Sequence, residues 1–247
     1  MIKLMIYSGM VFLVIIVSLI MIKKNIKDKE KKDNILKIFS LVTVFFHYSN
    51  LWVEYFSTGQ AYVSSTMLLP IYPCNICMWL VLIYAFTKNK ESYVLKNMGE
   101  FLAFIGTFCG VVGLVANEIF LNNPTFLEYS SIQGLFSHTT MIFTTTFILT
   151  QGYIKTDALK VTVSTTLGLL LFAVDGLFIN TIMKVFRLPE VNSMYMLEFP
   201  VDIPGINFFT LGLLGIIVVF LIGTLYEVLF LKKENRWYSK INKKEGN

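Results

Sequence analysis

Charged residues are scarce in this sequence: they make up 15% of its 247 residues, against about 25% in soluble domains. The sequence also lacks a low-complexity tract, an internal repeat and a glycine-rich nucleotide-binding loop. No polar segment is long enough to form a separate soluble domain. Apolar residues instead make up 55% of the chain. A soluble fold is therefore excluded, and we predict one polytopic membrane domain over residues 1–247.

The apolar residues form seven long runs, each long enough to cross a hydrocarbon core, which takes about 20 residues of helix. We predict an all-α, multi-pass protein of the cell membrane with seven transmembrane helices and a polar tail at 232–247. The first run follows Lys3, as in a secretory signal, but no small-residue cleavage site follows, so we expect a retained helix. The runs are 4–22, 36–57, 67–87, 98–121, 132–153, 160–183 and 205–231.

Basic residues are unevenly distributed among the loops that join these runs. If successive helices alternate in direction, all but three of the 21 Lys and Arg residues lie on one side, the exceptions being Lys3, Lys184 and Arg187. Because cytoplasmic loops carry excess positive charge, we predict an N-terminus outside and a C-terminus in the cytoplasm. Anionic lipid beside such loops explains the basic excess, so no nucleic-acid partner is expected.

Cysteine is also rare, since the three residues cannot form a disulfide framework and no second pair completes a zinc finger. Two of them nevertheless stand close together, as Cys74 and Cys77 in LPIYPCNICMW. Proline is favoured at the first helical position, so a helix should begin at or near Pro73. Cys74 would then lie among unpaired N–H groups at the positive end of the helix dipole, which favours a nucleophilic thiolate.

Several roles remain open for this pair of cysteines. A redox pair is one, although the thioredoxin-like context is absent. A metal site would need further ligands, such as His47 and His138, and no tight spacing supports one. A nucleophile with a distant histidine base needs only two residues brought together in space. Purely structural thiols are the remaining alternative.

Polar residues inside the apolar runs gather, in the predicted topology, in the outer half of the bundle. Such residues are costly in a membrane and usually face the bundle interior or a cavity. Many could serve only as hydrogen-bonding groups between helices, and the threonines after His138 should bond back to their own helix. The outer set comprises His47, Asn50, Glu54, Asn75, Asn117, Glu118, His138, Asp175 and Asn180, with Glu227 near the inner end as the main exception.

At these positions the sequence resembles the YwaF-like bacterial integral membrane proteins, which are related to the eukaryotic transmembrane protein 164 acyltransferases. LPIYPCNI is similar to the family's Leu-Pro-x-x-x-Cys element, with its cysteine at Cys74, and a lone histidine two helices later matches His138. The seven-helix layout agrees over nearly the whole chain. NSMYMLEFP is similar to an Asn-x-x-Tyr/Phe-x-Leu-x-x-Pro element, which covers Asn192, Tyr195, Leu197 and Pro200.

The chain departs from the family pattern at two positions. Relatives often have histidine two residues before the cysteine, where this chain has Tyr72. A tyrosine can donate a hydrogen bond there but is a poor base at neutral pH. Cys77 is the second departure, because the family pattern does not include it.

The resemblance implies acyl transfer on membrane lipids, with phospholipid or lysophospholipid as substrate and no cofactor or metal. Cys74 would attack the ester carbonyl, and His138 would act as general base and then protonate the leaving alkoxide. Other polar residues would line an outward-facing cavity. The oxyanion would be stabilised by Asn75, Asn50 or backbone N–H groups, the histidine oriented by Glu54 or Asp175, and the cavity lined also by Tyr72, Asn117, Asn192 and Tyr195.

Two alternatives belong to other functional classes. A substrate-capture subunit of a small-molecule or vitamin transporter would use the same cavity without covalent chemistry. A structural membrane protein would use its polar residues only to hold helices together.

Overall fold

The computed structural model describes residues 2–58, 69–117, 121, 125–198 and 204–239, without the side chains of Asn50, Glu54, Thr58 and Ser130. Throughout this part of the chain the regular structure is helical and no strand occurs, so the all-α prediction is confirmed. Each predicted apolar run overlaps one helix. The helices are α1 (Ile2–Asn25), α2 (Lys29–Thr58), α3 (Pro73–Phe86), α4 (Tyr93–Val115), α5 (Tyr129–Thr150), α6 (Ala158–Val185) and α7 (Phe208–Phe230).

Four of the described helices, α1, α4, α6 and α7, are long and apolar enough to cross a membrane. Helix α2 would be a fifth if its two parts, which meet at a bend of 42°, form a single span. Helix α3 is apolar but has only 14 residues, and α5 is long enough but less apolar. The chain is a membrane protein, whereas seven spans and the orientation of the termini remain predictions.

Helices α1 and α7 lie at the periphery of the bundle. Helix α1 buries one stripe of residues spaced about one helical turn apart, and most of its other large apolar side chains are exposed. So much exposed apolar surface would promote aggregation in water, but it is the ordinary outer surface of a helix in lipid. The buried stripe of α1 is Leu4, Ser8, Val11, Ile15 and Leu19.

Helix α5 is central and packs against α1, α2 and α4. Its threonines donate hydrogen bonds to carbonyl groups one turn earlier in the same helix, which confirms that prediction. Helix α4 bridges two parts of the bundle, because its first residues pack against α6 and its later residues against α5. The wall of α4 therefore borders both α3 and α5, which carry the predicted cysteine and histidine.

The connections after α1, α3, α5 and α7 meet at one end of the bundle, where residues 27–33, 88–91, 151–157 and 231–235 line neighbouring cavities. We call this the basic end because lysines dominate it. We call the other end the thiol end. It contains the starts of α3 and α5, the end of α4 and the segment 192–198.

Glu227, the polar exception near the predicted inner end, is a structural residue. Its side chain is completely buried. One carboxylate oxygen accepts a hydrogen bond from the backbone N–H of Ala158 at 2.6 Å, and the other accepts from Trp237 N–H at 2.7 Å. Ala158 is the first residue of α6, so Glu227 of α7 satisfies an N–H group that the helix itself leaves unpaired.

Candidate functional site

Helix α3 begins at Pro73, as the sequence predicts. The Tyr72 carbonyl accepts hydrogen bonds from the N–H groups of Asn75 and Ile76 at 3.0 and 3.4 Å. The backbone N–H groups of Cys74 and Asn75 are directed to the Cys74 sulfur, and its thiol donates to Asn75 Oδ1 at 3.3 Å. The sulfur therefore lies in the first turn of α3 among N–H donors, where developing negative charge is stabilised.

The three cysteines lie close together between α3 and α4. Cys77 is fully buried one turn after Cys74 and contacts Cys109 of α4, and Cys74 lies within electrostatic reach of Cys109. All three are free thiols. Within the described residues, no group of three His, Cys, Asp or Glu side chains could hold a metal ion. Sequence reasoning did not place Cys109 beside the pair, because a single cysteine thirty-odd residues away has no informative spacing.

A π-helical stretch, Leu102–Gly106, precedes Cys109 in α4. Such a stretch changes the face that the following residues present and often occurs at functional sites. Immediately after it, the Thr107 hydroxyl donates to Thr145 Oγ1 of α5 at 2.9 Å. This contact fixes the later part of α4 against α5. No sequence pattern predicts the π-helical turn.

His138 lies on α5 and packs against α4. Its Nδ1 lies 2.8 Å from the Gly134 carbonyl oxygen, so Nδ1 is the protonated, donating nitrogen. Its Nε2 is buried and has no hydrogen-bond partner in the described part of the chain. The ring lies directly against Gly113, where an added Cβ would be 2.1 Å from Cδ2 and Nε2. The Nε2 lone pair therefore accepts no hydrogen bond from the described residues, and the ring packs against α4 at Gly113.

Cys74 and His138 approach the same helix at successive turns. Cys74 lies near Cys109, and His138 lies against Gly113, four residues later on the same face of α4. Four residues correspond to about 6 Å along a helix. No direct hydrogen bond joins the two side chains, since the thiol donates to Asn75 and Nε2 has no described partner.

Among the described residues, no carboxylate is hydrogen-bonded to Nδ1 of His138, so a carboxylate that orients the histidine remains a prediction. The Gly134 carbonyl occupies the place of the orienting group on Nδ1. Asp175 of α6 has a buried Oδ2 without a hydrogen-bond partner among the described residues. The side chains of Asn50 and Glu54, and the whole of Glu118, lie outside the described residues.

Other predicted residues surround the histidine. Asn117, at the end of α4, lies against Gly134, where an added Cβ would be 2.8 Å from its Nδ2. His47 of α2 lies within electrostatic reach of His138, and its carbonyl accepts from Gln133 Nε2 at 2.7 Å. These contacts hold the ends of α2 and α4 against the start of α5.

The segment that contains Asn192 and Tyr195 lies against the start of α3. The rings of Tyr195 and Tyr72 are 5.4 Å apart, and the Met194 N–H donates to the Ile71 carbonyl at 2.8 Å. Met194 and Tyr195 both have positive φ angles, 56° and 55°, which are unfavourable for non-glycine residues and often mark functional sites.

Asn192 organises this segment through hydrogen bonds to its backbone. Its Oδ1 accepts from the N–H groups of Leu197 and Glu198, and its Nδ2 donates to the Glu198 carbonyl. Asn180 of α6 holds the same segment, because its side chain bonds both the N–H and the carbonyl of Ser193. Pro200, the last residue of the motif, lies outside the described residues.

An apolar groove of about 320 Å³ opens beside the cysteines, between α4, α6, α7 and the start of α3. Pro73, Cys109 and Tyr195 border it, and apolar side chains form almost all of the remaining wall. The groove next to Pro73 and Cys109 is therefore apolar, and the outward-facing polar cavity remains a prediction. The apolar wall includes Phe104, Phe108, Leu169, Phe172, Leu211, Leu214 and Val218.

Comparison with known proteins gives one match. The sequence model of the TMEM164 family covers residues 2–235, which is nearly the whole chain. No curated protein and no solved structure matches the sequence. The predicted resemblance is confirmed at the level of this family, and its YwaF-like and bacterial character remain predictions. The chain belongs to the TMEM164 family.

Proposed function

We propose that this protein is a thiol-dependent acyltransferase or acyl-ester hydrolase that acts on lipids in the cell membrane. Cys74 is the nucleophile and His138 the general base. One observation carries the proposal: the Cys74 sulfur lies among backbone N–H donors at the start of α3 and next to Pro73 and Cys109, which border an apolar groove. A reactive ester needs this combination of polar donors for its carbonyl and apolar space for its acyl chain. TMEM164 family membership is consistent with acyl transfer.

The proposed reaction begins when the Cys74 thiolate attacks the ester carbonyl. A C–S bond forms, the ester C–O bond breaks, and the leaving alkoxide takes up a proton. The N–H group of Cys74 stabilises the oxyanion. A lysolipid hydroxyl in a transferase, or water in a hydrolase, then attacks the thioester: a C–O bond forms, the C–S bond breaks, and the attacking group's proton returns to the Cys74 sulfur.

His138 Nε2 accepts the thiol proton and returns it to the alkoxide in this proposal. Because no direct hydrogen bond joins the thiol to Nε2, the proton must cross a bridging water, or α3 and α5 must approach when substrate binds. Catalytic hydrogen bonds are often long before substrate binding. The Gly134 carbonyl fixes the required tautomer by accepting from Nδ1.

The test is thioester formation by the full-length protein in nanodiscs that contain a phospholipid with an alkyne-tagged acyl chain. We expect a hydroxylamine-sensitive adduct on Cys74, found by mass spectrometry of tryptic peptides. It should be absent in Cys74→Ala and form about 100-fold more slowly in His138→Gln. Cys77→Ala and His47→Gln are the matched controls and should keep the adduct. An unchanged adduct yield in Cys74→Ala would exclude the proposed nucleophile.

A ligand-binding or transport subunit is the second candidate, and the composition of the groove favours it. Nearly all of the wall is apolar, so a long apolar ligand could bind there without any covalent step. In that case Cys74→Ala would bind a spin-labelled fatty acid as tightly as the wild type, and no thioester would form in either. Lipid profiles of a deletion strain and a Cys74→Ala strain would then differ.

A further inference from the structure

Three separate turns meet around one cavity at the basic end. The cavity has a volume of about 320 Å³ and is lined by Lys27, Lys29, Lys32 and Asp33 from the first turn and by residues 88–91 and 151–153 from the other two. Positively charged side chains outnumber negatively charged ones in its wall. The charged wall residues are Lys27, Lys29, Lys32, Lys88, Lys90, Asp33 and Glu91.

The two carboxylates of this wall are already engaged. Glu91 forms an ion pair with Lys96 at 2.9 Å, and Asp33 Oδ1 accepts from the Tyr153 hydroxyl at 2.7 Å. Within the described residues, the ammonium groups of Lys29, Lys32 and Lys88 take part in no ion pair. Three ammonium groups therefore border the cavity outside any described salt bridge, and Lys29 is attracted electrostatically by Glu91.

Lys90 supplies a further positive charge that the protein holds in place. Its Nζ donates to the Thr87 carbonyl at 2.9 Å and lies over the rings of Tyr84 and Tyr153, 5.7 and 5.8 Å from their centres. Partial burial lowers the pKa of Lys90, and neighbouring lysines add to that effect, while Asp33 opposes it. A bound anion would relieve this repulsion.

Gln151 adds an unsatisfied acceptor to the same wall. Its Nε2 donates to the Leu19 carbonyl at 3.1 Å, whereas its Oε1 is buried and has no hydrogen-bond partner among the described residues. Gly152 follows with φ of 82°, and the space beside it is open. The cavity is thus lined by several lysines and by Gln151, whose buried amide oxygen has no described donor.

Membrane topology alone accounts for excess lysine in cytoplasmic loops. It does not require lysines from three different loops to face one cavity, nor does it explain a buried acceptor beside them. A ligand with a phosphate and a hydroxyl would satisfy both features, because lysine is a common phosphate ligand and a hydroxyl can donate to an amide oxygen.

We propose that this cavity binds a phosphate ester that carries a hydroxyl group. Lys29, Lys32 and Lys88 would bind the phosphate, and the hydroxyl would donate a hydrogen bond to Gln151 Oε1. The ligand is either a lipid headgroup, such as that of phosphatidylglycerol, or a soluble ester, such as glycerol 3-phosphate. This site is separate from the thiol end and does not depend on the function proposed for Cys74.

The test uses the full-length protein in phosphatidylcholine nanodiscs, with thermal shift and native mass spectrometry as readouts. One arm adds glycerol 3-phosphate or methyl phosphate, and the other replaces part of the lipid with phosphatidylglycerol. We expect binding in at least one arm, weakened about fivefold in Lys32→Gln. Lys31→Gln is the matched control, because Lys31 is exposed and does not line the cavity.

Binding in the soluble arm identifies a free ester as ligand, and binding only in the lipid arm identifies a headgroup. The ester with a hydroxyl should bind more tightly than methyl phosphate, and Gln151→Met should abolish that difference. Equal weakening in Lys31→Gln and Lys32→Gln, or no binding in either arm, would overturn the proposal. If Lys32→Gln does not fold, Lys88→Gln, in an exposed loop position, replaces it.

Discussion

The two ends of the helix bundle differ in how their polar groups are paired. At the basic end, the ammonium groups of Lys29, Lys32 and Lys88 border an open cavity without ion-pair partners among the described residues. At the thiol end, polar side chains are mostly satisfied by nearby backbone, as with Asn192 and the carbonyl and N–H groups of residues 197–198. Exposed charge can be left to water, whereas a buried polar group without a partner is costly.

The exceptions to each pattern are the informative residues. At the thiol end, the buried Nε2 of His138 has no hydrogen-bond partner among the described residues and lies close to the face of α4 that Cys74 also approaches. At the basic end, the buried Oε1 of Gln151 and the Tyr84 hydroxyl have no such partner either. We infer chemistry at the first end and ligand recognition at the second, because one offers a base beside thiols and the other offers cations beside an acceptor.

Among the substitutions considered, Glu227→Ala is expected to lower stability the most. A small effect would contradict the contrast drawn between buried polar groups, which need partners, and exposed ones, which do not. Glu227 is a completely buried carboxylate at the basic end, and its loss would leave the N–H groups of Ala158 and Trp237 unpaired. Each unsatisfied buried group costs about 1–3 kcal/mol, so the free energy of unfolding should fall by about 3 kcal/mol. Thermal unfolding in detergent measures it. Glu234→Ala, at an exposed position, should change little.

Gly113→Ala is expected to have an intermediate effect on stability, and it tests how closely His138 packs against α4 at the thiol end. The new methyl group would overlap the His138 ring, so the ring or the helix must move. Overpacking of this kind costs about 1–3 kcal/mol, and thioester formation on Cys74 should slow with it. Gly9→Ala in α1 is the matched control, since nothing lies within 4 Å of that position. Equal thermal shifts in the two variants would contradict the close packing of His138.

Thr144→Val is expected to have the smallest effect. Its hydroxyl donates only to the carbonyls of Thr140 and Met141 in its own helix, so no contact between helices is lost. We expect a change below about 0.5 kcal/mol in the free energy of unfolding. A loss above about 1 kcal/mol would show that the hydroxyl has a role between helices, and thermal unfolding again provides the measurement.

The predictions that depend on local chemistry were confirmed. Pro73 starts α3 because proline lacks an N–H group and has a helical φ angle. The threonines of α5 bond to their own helix because their hydroxyl groups reach the carbonyl one turn earlier. The membrane character followed from apolar runs and sparse charge. The number of spans stays a prediction, because α3 is short and α5 carries many polar residues.

The sequence by itself determined the helical, membrane-embedded character of this protein, the start of α3 and the position of Cys74 in its first turn. These properties depend on neighbouring residues and on contact with lipid. Only the tertiary structure decided that Cys109 and Gly113 form the common wall for Cys74 and His138, that the adjoining groove is apolar, and that lysines from three turns face one cavity. Those arrangements depend on how helices that are distant in sequence pack together, and local sequence patterns do not determine that packing.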